Sequence, residues 1–469
     1  MTSNPSAGAN SRWTKERASR IHAELNQGVD VWTLFNPVVF PTAINLGQGF
    51  MNWSPPSYIL EPLTEEMQKR VDLHHYSHPK GRPRLRQALA DFYSASFRLP
   101  EGKQPGADNW RASSEKDLPK QRPDIGRKLD TETEMQVTSG ANGGLYSTMG
   151  AFINDGDRVV CIEPFFDQYD AEIVFHGGIP RYVPLLPPSS SSGEQGKRLE
   201  SSQWTIDMAH LERELSHPDT KAIILNTPHN PVGKVFSLAE LQQIAALCVK
   251  YDILCVSDEV YDCLTFDGHE HVRIASLEGM WERTVTVGSA GKSFACTGWR
   301  VGWLIGPDHL IGPARAVHTR ITFSVNSSAQ EGAAIGLERA DAENFFERQI
   351  DEYAHRRQQL ISALDSLGLP ITVPNGGYFI IADASGVQIP ENWIKENNVP
   401  EAILAKPRDY LLAYFIAKVA DVVTIPATAF YSKQGAELGQ NYIRFSFCKD
   451  DQIEPAGERL RALEPYLKK

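Results

Sequence analysis

Five short apolar runs set the framework of the chain: MQVT at 135–138, RVVCI at 158–162, KAIILN at 221–226, ILCVS at 253–257 and TVTVG at 284–288. Helical stretches separate them, which is the pattern of an α/β protein. Strands so continuously apolar bury both faces, so the runs predict a mostly parallel central sheet with helices on either side. After about residue 340 the pattern changes to a long amphipathic helix, then mixed strands and helices through NGGYFIIAD (375–383) and YIRFSF (442–447). That reads as a second, smaller α+β domain. Two polar stretches, from about Pro100 to Arg127 and from Pro187 to Lys197, read as surface insertions or mobile loops without chemistry of their own.

Composition narrows the classes. A 469-residue chain with 41% apolar residues can bury a full core. Its net charge of −11, with both signs mixed along the sequence, offers no basic stripe for nucleic acid and no polybasic patch for a membrane. No apolar run approaches the roughly 18 residues of a membrane span, and no secretory signal opens the chain. The six cysteines lie scattered in apolar segments without metal-type spacing, which fits reduced thiols in a cytoplasmic protein. The Ser-rich first twenty residues carry Arg12, Arg17 and Arg20 and read either as a disordered terminus, the preferred reading, or as a mitochondrial presequence.

The chemistry-bearing residues cluster where the strands end. In an open α/β sheet ligands bind beyond the carboxyl ends of the strands. Gly140-Ala141-Asn142-Gly143-Gly144 follows the first run, Glu163-Pro164-Phe165-Phe166 the second and Thr227-Pro228-His229-Asn230-Pro231 the third. Asp258-Glu259-Val260-Tyr261 follows the fourth and Ser289-Ala290-Gly291-Lys292 the fifth. The glycine-rich turn before a helix offers free N–H groups and a positive helix end to a phosphate, although glycine clusters more often serve tight turns. Gly288 to Ser293 imitates the end of a P-loop, but Thr286 occupies the position of its first glycine. A lysine enclosed beside Phe165 and Trp299 has a lowered pKa and can form a Schiff base with a carbonyl. A single Asp could hold a pyridinium nitrogen, making the ring an electron sink. On these two residues alone, an ordinary cleft ion pair between Lys292 and Asp258 is an equal alternative. Arg444 by itself reads as a buried salt-bridge partner, Trp32 and Phe165 as core aromatics, and His269 and His271 as surface residues.

The segments NLGQGF (45–50), NTPHNPVGKVF (226–236), SDEVYD (257–262), SAGKSFACTGWRVGW (289–303) and YIRFSF (442–447) resemble, in order and spacing, those of class I aminotransferases of fold type I. NLGQGF, IEPFFDQY (162–169) and AFYSKQG (429–435) further resemble the kynurenine aminotransferase and glutamine transaminase group. The fold implied has a large domain over 49–335 and a small domain formed by 336–469 with the arm 1–48.

The resemblance implies pyridoxal 5′-phosphate held as a Schiff base on Lys292, which then shuttles a proton between Cα and C4′. It implies that Asp258 pairs with the pyridine nitrogen, that Asn230 and Tyr261 bond the 3-oxygen, and that Phe165 stacks on the ring. Ser289, Arg300 and the backbone of Ala141, Asn142 and Gly143 would hold the phosphate, reached also by Tyr76 from the second subunit of a homodimer. Arg444 would clamp the substrate carboxylate, helped by Asn230 and the Gly49 backbone, with Trp32 walling the side-chain pocket. The reaction implied is transamination of an L-amino acid, kynurenine or another aromatic or sulfur-containing one, against a 2-oxo acid, with β-elimination as a side activity. The alternatives are a general aromatic, glutamine or methionine aminotransferase, a fold-related lyase, and an inactive cofactor-binding module. Two departures bear on the pocket: Met51-Asn52-Trp53 replaces the group's Pro-Asp-Phe, and Asn142 stands where relatives carry an aromatic residue.

Overall fold

A computed structural model describes residues 31–35, 42–97, 128–188 and 198–468. The first twenty residues and both polar insertions, apart from Pro187 and Pro188, lie outside the described residues. All five predicted strands form, as Met135–Ser139, Arg158–Glu163, Thr220–Asn226, Leu254–Asp258 and Thr284–Ser289. Three unforeseen strands, Ile179–Leu186, Thr205–Ile206 and Val301–Ile305, complete an eight-stranded sheet. By first residue its order is 135, 301, 284, 254, 220, 158, 179, 205. Pairing from strand 284 through strand 179 is parallel. Val301–Ile305 runs antiparallel to both its neighbours, so the sheet is mixed rather than uniform.

Alternation along the strands explains why the runs read as uniformly apolar. Val160 and Ile162 enter one core with Trp204, Phe236 and Ile244, while Val159 and Cys161 enter another with Leu145, Val256 and Ile311. Successive side chains point to opposite faces, and helices cover both. The helix Leu238–Tyr251 shows how sharply such elements are delimited: Ser237 and Glu240 form a reciprocal capping box at its start.

A five-stranded sheet lies beside this body, in the order Ile425–Pro426, Tyr442–Ser446, Phe379–Asp383, Ile371–Val373, Arg198–Glu200. Its last strand comes directly after the second polar insertion, a crossing between sheets that the pattern did not announce. The predicted long helix is Phe345–Ser366. Val31, Phe35, Ile44 and Leu46 pack into the same core as Leu360, Phe415 and Phe445. Ile44–Asn45 also pairs in parallel with Val422–Val423. No helix among the described residues is long and apolar enough to cross a membrane. All six cysteines are free, and all but Cys263 are buried.

Candidate active site

The strand ends converge as the sequence suggested, and Lys292 sits at their centre. Strand Thr284–Ser289 passes directly into the short helix Ala290–Ser293, where a side chain on Gly291 would stand 2.9 Å from the Thr297 backbone. The Lys292 Nζ donates to the Gly49 carbonyl at 3.0 Å and to the Tyr378 hydroxyl at 2.9 Å. Tyr378 in turn donates to the same carbonyl at 2.8 Å. Neither lysine bond goes to Asp258, so the ion-pair alternative is not realised. Burial lowers the Lys292 pKa to about 8, with Arg444 and Arg300 acting in the same direction.

Asp258 ends its strand almost fully buried, with Oδ2 accepting from the Tyr169 hydroxyl at 2.5 Å. Burial raises its pKa to about 6, and the Tyr169 bond opposes the rise. Asn226 ties this strand end to the next: its Nδ2 donates to the Asp258 carbonyl at 2.9 Å and its Oδ1 accepts from the Asn230 N–H at 2.7 Å. Tyr261 stands edge-on to Tyr378, with ring centroids 5.1 Å apart. Phe165 is buried and backed by Tyr182, nearly parallel at 5.4 Å.

The glycine turn is built as a cup. The helix Gly140–Phe152 starts immediately after its strand, and Ser139 makes no side-chain cap, so the N–H groups of the first turn, which have no intrahelical partner, lack the usual capping acceptor as well. Gly140 adopts φ +72°, and a Cβ there would lie 2.6 Å from the Arg300 guanidinium. A Cβ on Gly302 would lie 2.7 Å from the Ala141 nitrogen, so the antiparallel strand presses the turn forward. Ser289 pairs in register with Gly302. Arg300 is exposed, in the left-handed region at φ 53°. Behind the turn, the His318 Nε2 accepts the Ser139 N–H at 3.1 Å; burial holds that imidazole neutral, at a pKa of about 4.

Arg444 is the second anchor. It is 2% exposed, donates to Asn230 Oδ1 at 3.0 Å and to the Gly47 carbonyl at 2.8 Å, and lies over the rings of Phe379 and Phe430. Its buried Nε has no partner, and among the described residues no carboxylate pairs with it. Burial accordingly depresses its pKa to about 10. Trp32 lies 6.0 Å from the guanidinium and donates to Asp167 at 2.8 Å.

Other expectations need correction. Trp299 packs on Gly332 and the cluster of Phe294 and Ala333, whereas the contacts of Lys292 go to Gly49, Tyr378 and Tyr261. The His271 side chain is only 5% exposed, unlike that of a surface residue: its Nε2 meets Glu259 at 2.9 Å, because that buried carboxylate gathers His271 and Arg273 as partners. Met51 is buried, Trp53 packs on Arg356, and Asn52 bonds Asp450, which ties the unusual MNW segment to the small sheet's flank. Tyr76 is 84% exposed and touches Phe323, outside the hydrogen-bonded set of this chain. Tyr169, Asn226 and Tyr378, which nothing in the sequence distinguishes from their neighbours, lie within IEPFFDQY, NTPHNPVGKVF and NGGYFIIAD.

Residues 41–460 match the family of class I and II aminotransferases. The chain is 38% identical over 442 residues to the kynurenine–oxoglutarate transaminase of Dictyostelium discoideum, covering 93% of this chain and 94% of that one. It is 37% identical over 447 residues to human kynurenine–oxoglutarate transaminase 3, covering 94% and 89%. The crystal structure of Bna3p, a putative kynurenine aminotransferase from Saccharomyces cerevisiae, superposes with a TM-score of 0.83 at 37% identity, covering 96% of this chain and 99% of that one.

Proposed function

The chain belongs to the class I and II aminotransferases, and from that premise we propose that it transfers the amino group of L-kynurenine to a 2-oxo acid, with pyridoxal 5′-phosphate on Lys292 and Asp258. The observation that carries this reading is a pair of sites left open, one buried and one at the partly exposed start of a helix. Arg444 is a desolvated cation without a carboxylate partner among the described residues, and a buried guanidinium gains most from a bidentate anion. A substrate α-carboxylate has that shape. The uncapped first turn at Ala141, Asn142 and Gly143, flanked by Arg300 and Ser289, is the matching place for a phosphate.

Pyridoxal phosphate, when bound, supplies a ring able to take up the electron pair left at the substrate Cα. This chain's residues supply the rest. Asp258 holds a proton at the ring nitrogen, Asn230 and Tyr261 bond the 3-oxygen, and Phe165 covers the ring face. Arg444, with Asn230 and the Gly49 backbone, fixes the substrate carboxylate and so aims its Cα–H bond. Lys292, whose amine is half neutral near pH 8, takes that proton. Tyr378 and the Gly49 carbonyl steer Nζ. Trp32 walls the side-chain pocket, and the relatives' substrate is the reason for naming kynurenine. The division into 49–335 and 336–469 with the arm places Lys292 and Arg444 on different domains, so domain closure would bring base and clamp together. Tyr76 reaches the phosphate of the second subunit of a homodimer.

The test is absorbance of the purified protein in single turnovers with L-kynurenine, glutamine, methionine, alanine and aspartate, each without an oxo acid. Conversion of the bound pyridoxal band to the pyridoxamine band, fastest with kynurenine, is the expected outcome. Absence of a bound band after adding the cofactor, or a band unchanged in Lys292→Ala, would overturn the assignment.

A further inference from the structure

Glu172 is a buried acid that the reaction above does not use. It stands three residues after Tyr169 on the helix Gln168–Phe175, and both side chains turn into the interior. Tyr169 gives its hydroxyl to Asp258, while Glu172 is 5% exposed and its Oε2 has no partner among the described residues. The titratable groups on the packed elements leave it alone. On its own helix Asp170 accepts from Tyr182 of strand Ile179–Leu186, and the His176 ring meets the Glu172 main-chain carbonyl, not its acid. From helix Gly140–Phe152, Tyr146 stands edge-on to His176. Arg181 turns to Glu214, and Cys161 of the neighbouring strand is a buried neutral thiol. The remaining charge is that of Asp258.

One turn of the helix Gln168–Phe175 separates Glu172 from the tyrosine that holds Asp258, and an interior that buries both carboxyls disfavours ionising both. Burial and the Asp258 charge raise the Glu172 pKa to about 9, above the value near 6 of Asp258, so Asp258 ionises first.

We propose that Glu172 is a positioning residue for the ring-nitrogen site: it keeps a proton behind Asp258, so that the two carboxyls together present one negative charge to the ring. This rests on Asp258 receiving the cofactor's ring nitrogen. When alkaline solution removes the proton, Glu172–COOH becomes Glu172–COO⁻ with H⁺ passing to solvent, and a second negative charge tightens the ring nitrogen's hold on its own proton.

Two measurements on Glu172→Gln, which keeps a neutral side chain of similar shape, test this. The first uses apoprotein. Folded Glu172 retains its proton between pH 4.5 and about 9 while the unfolded chain has released it, so the stability it contributes is lost as pH rises through that window. The melting temperature of E172Q should therefore gain on wild type progressively across it. The second uses protein loaded with ¹⁵N-labelled cofactor: the ring-nitrogen shift should pass through an alkaline transition in wild type that E172Q lacks. Melting curves that stay parallel overturn the proposal, and so do different melting curves with identical ¹⁵N titrations, which would leave the proton stored but unfelt at the ring. Failure of wild type to take up the cofactor is a separate result and overturns the reading of Asp258 itself.

Discussion

At the scale of single residues, the site is assembled from groups held in forms they would not choose in water. Asp258 is the clearest: burial lifts its pKa from 3.8 to about 6, a cost of roughly 3 kcal/mol for its charged form. A raised folded pKa means that stability present at low pH is lost as pH rises through about 6. Asp258→Asn should therefore melt higher than wild type as apoprotein at pH 7, with the difference vanishing toward pH 4, while turnover collapses because a neutral amide cannot hold the ring protonated. Calorimetry of the two apoproteins across pH reads the first effect, and single-turnover absorbance the second. Arg444 makes the complementary case. Arg444→Lys keeps a charge but gives up the planar fork, and losing a charge-assisted bond costs about 1.5–3 kcal/mol. The expected result is a kcat/KM for kynurenine lowered by about 10- to 100-fold, with cofactor affinity unchanged in a fluorescence titration.

At the scale of elements, geometry is set by close approach of backbones. The turn between Met135–Ser139 and its helix works because Gly140 accepts φ +72° and leaves room for the Arg300 guanidinium. Gly140→Ala adds a strained backbone and a clash, about 1–3 kcal/mol in total, and should weaken cofactor binding by roughly tenfold or more with secondary structure intact by circular dichroism. This turn also shows what the sequence could carry. The five strand runs were legible because burial on both faces leaves an unbroken stretch of apolar residues that needs no knowledge of partners. The strand Val301–Ile305 was not, since it follows a loop whose arginine and tryptophan are spent on packing against Gly140 and Gly332, and its antiparallel direction is decided by the sheet. Lys292, Asp258 and Arg444 stood out as polar residues beside apolar runs. Tyr169 and Tyr378 did not, because a buried tyrosine resembles any core aromatic until its hydroxyl is seen to meet Asp258 or Lys292. His271 misled for the same reason: an Asp-Gly-His-Glu-His stretch looks solvated until Glu259 draws its second histidine inward.

At the scale of the whole molecule, one face is left unfinished. Val71, Tyr76, Ile321 and Phe323 are between 53% and 84% exposed, on two segments joined by the edge contact of Tyr76 with Phe323. Large apolar side chains gathered on one surface mark an interaction site more often than solvent-facing ornament. If that face joins two subunits and delivers Tyr76 to the partner's phosphate, its two functions are separable. Phe323→Asp should break association, shifting sedimentation to the monomer and lowering cofactor affinity together with it. Tyr76→Phe should leave the dimer intact, since the ring remains, yet remove one hydroxyl bond to a charged oxygen, worth about 1.5–3 kcal/mol. Its cofactor dissociation constant should then rise by about tenfold or more without any change in sedimentation. A Tyr76→Phe protein with wild-type cofactor affinity would place Tyr76 in the interface alone, and the phosphate would then rest on Arg300, Ser289 and the helix end of a single chain.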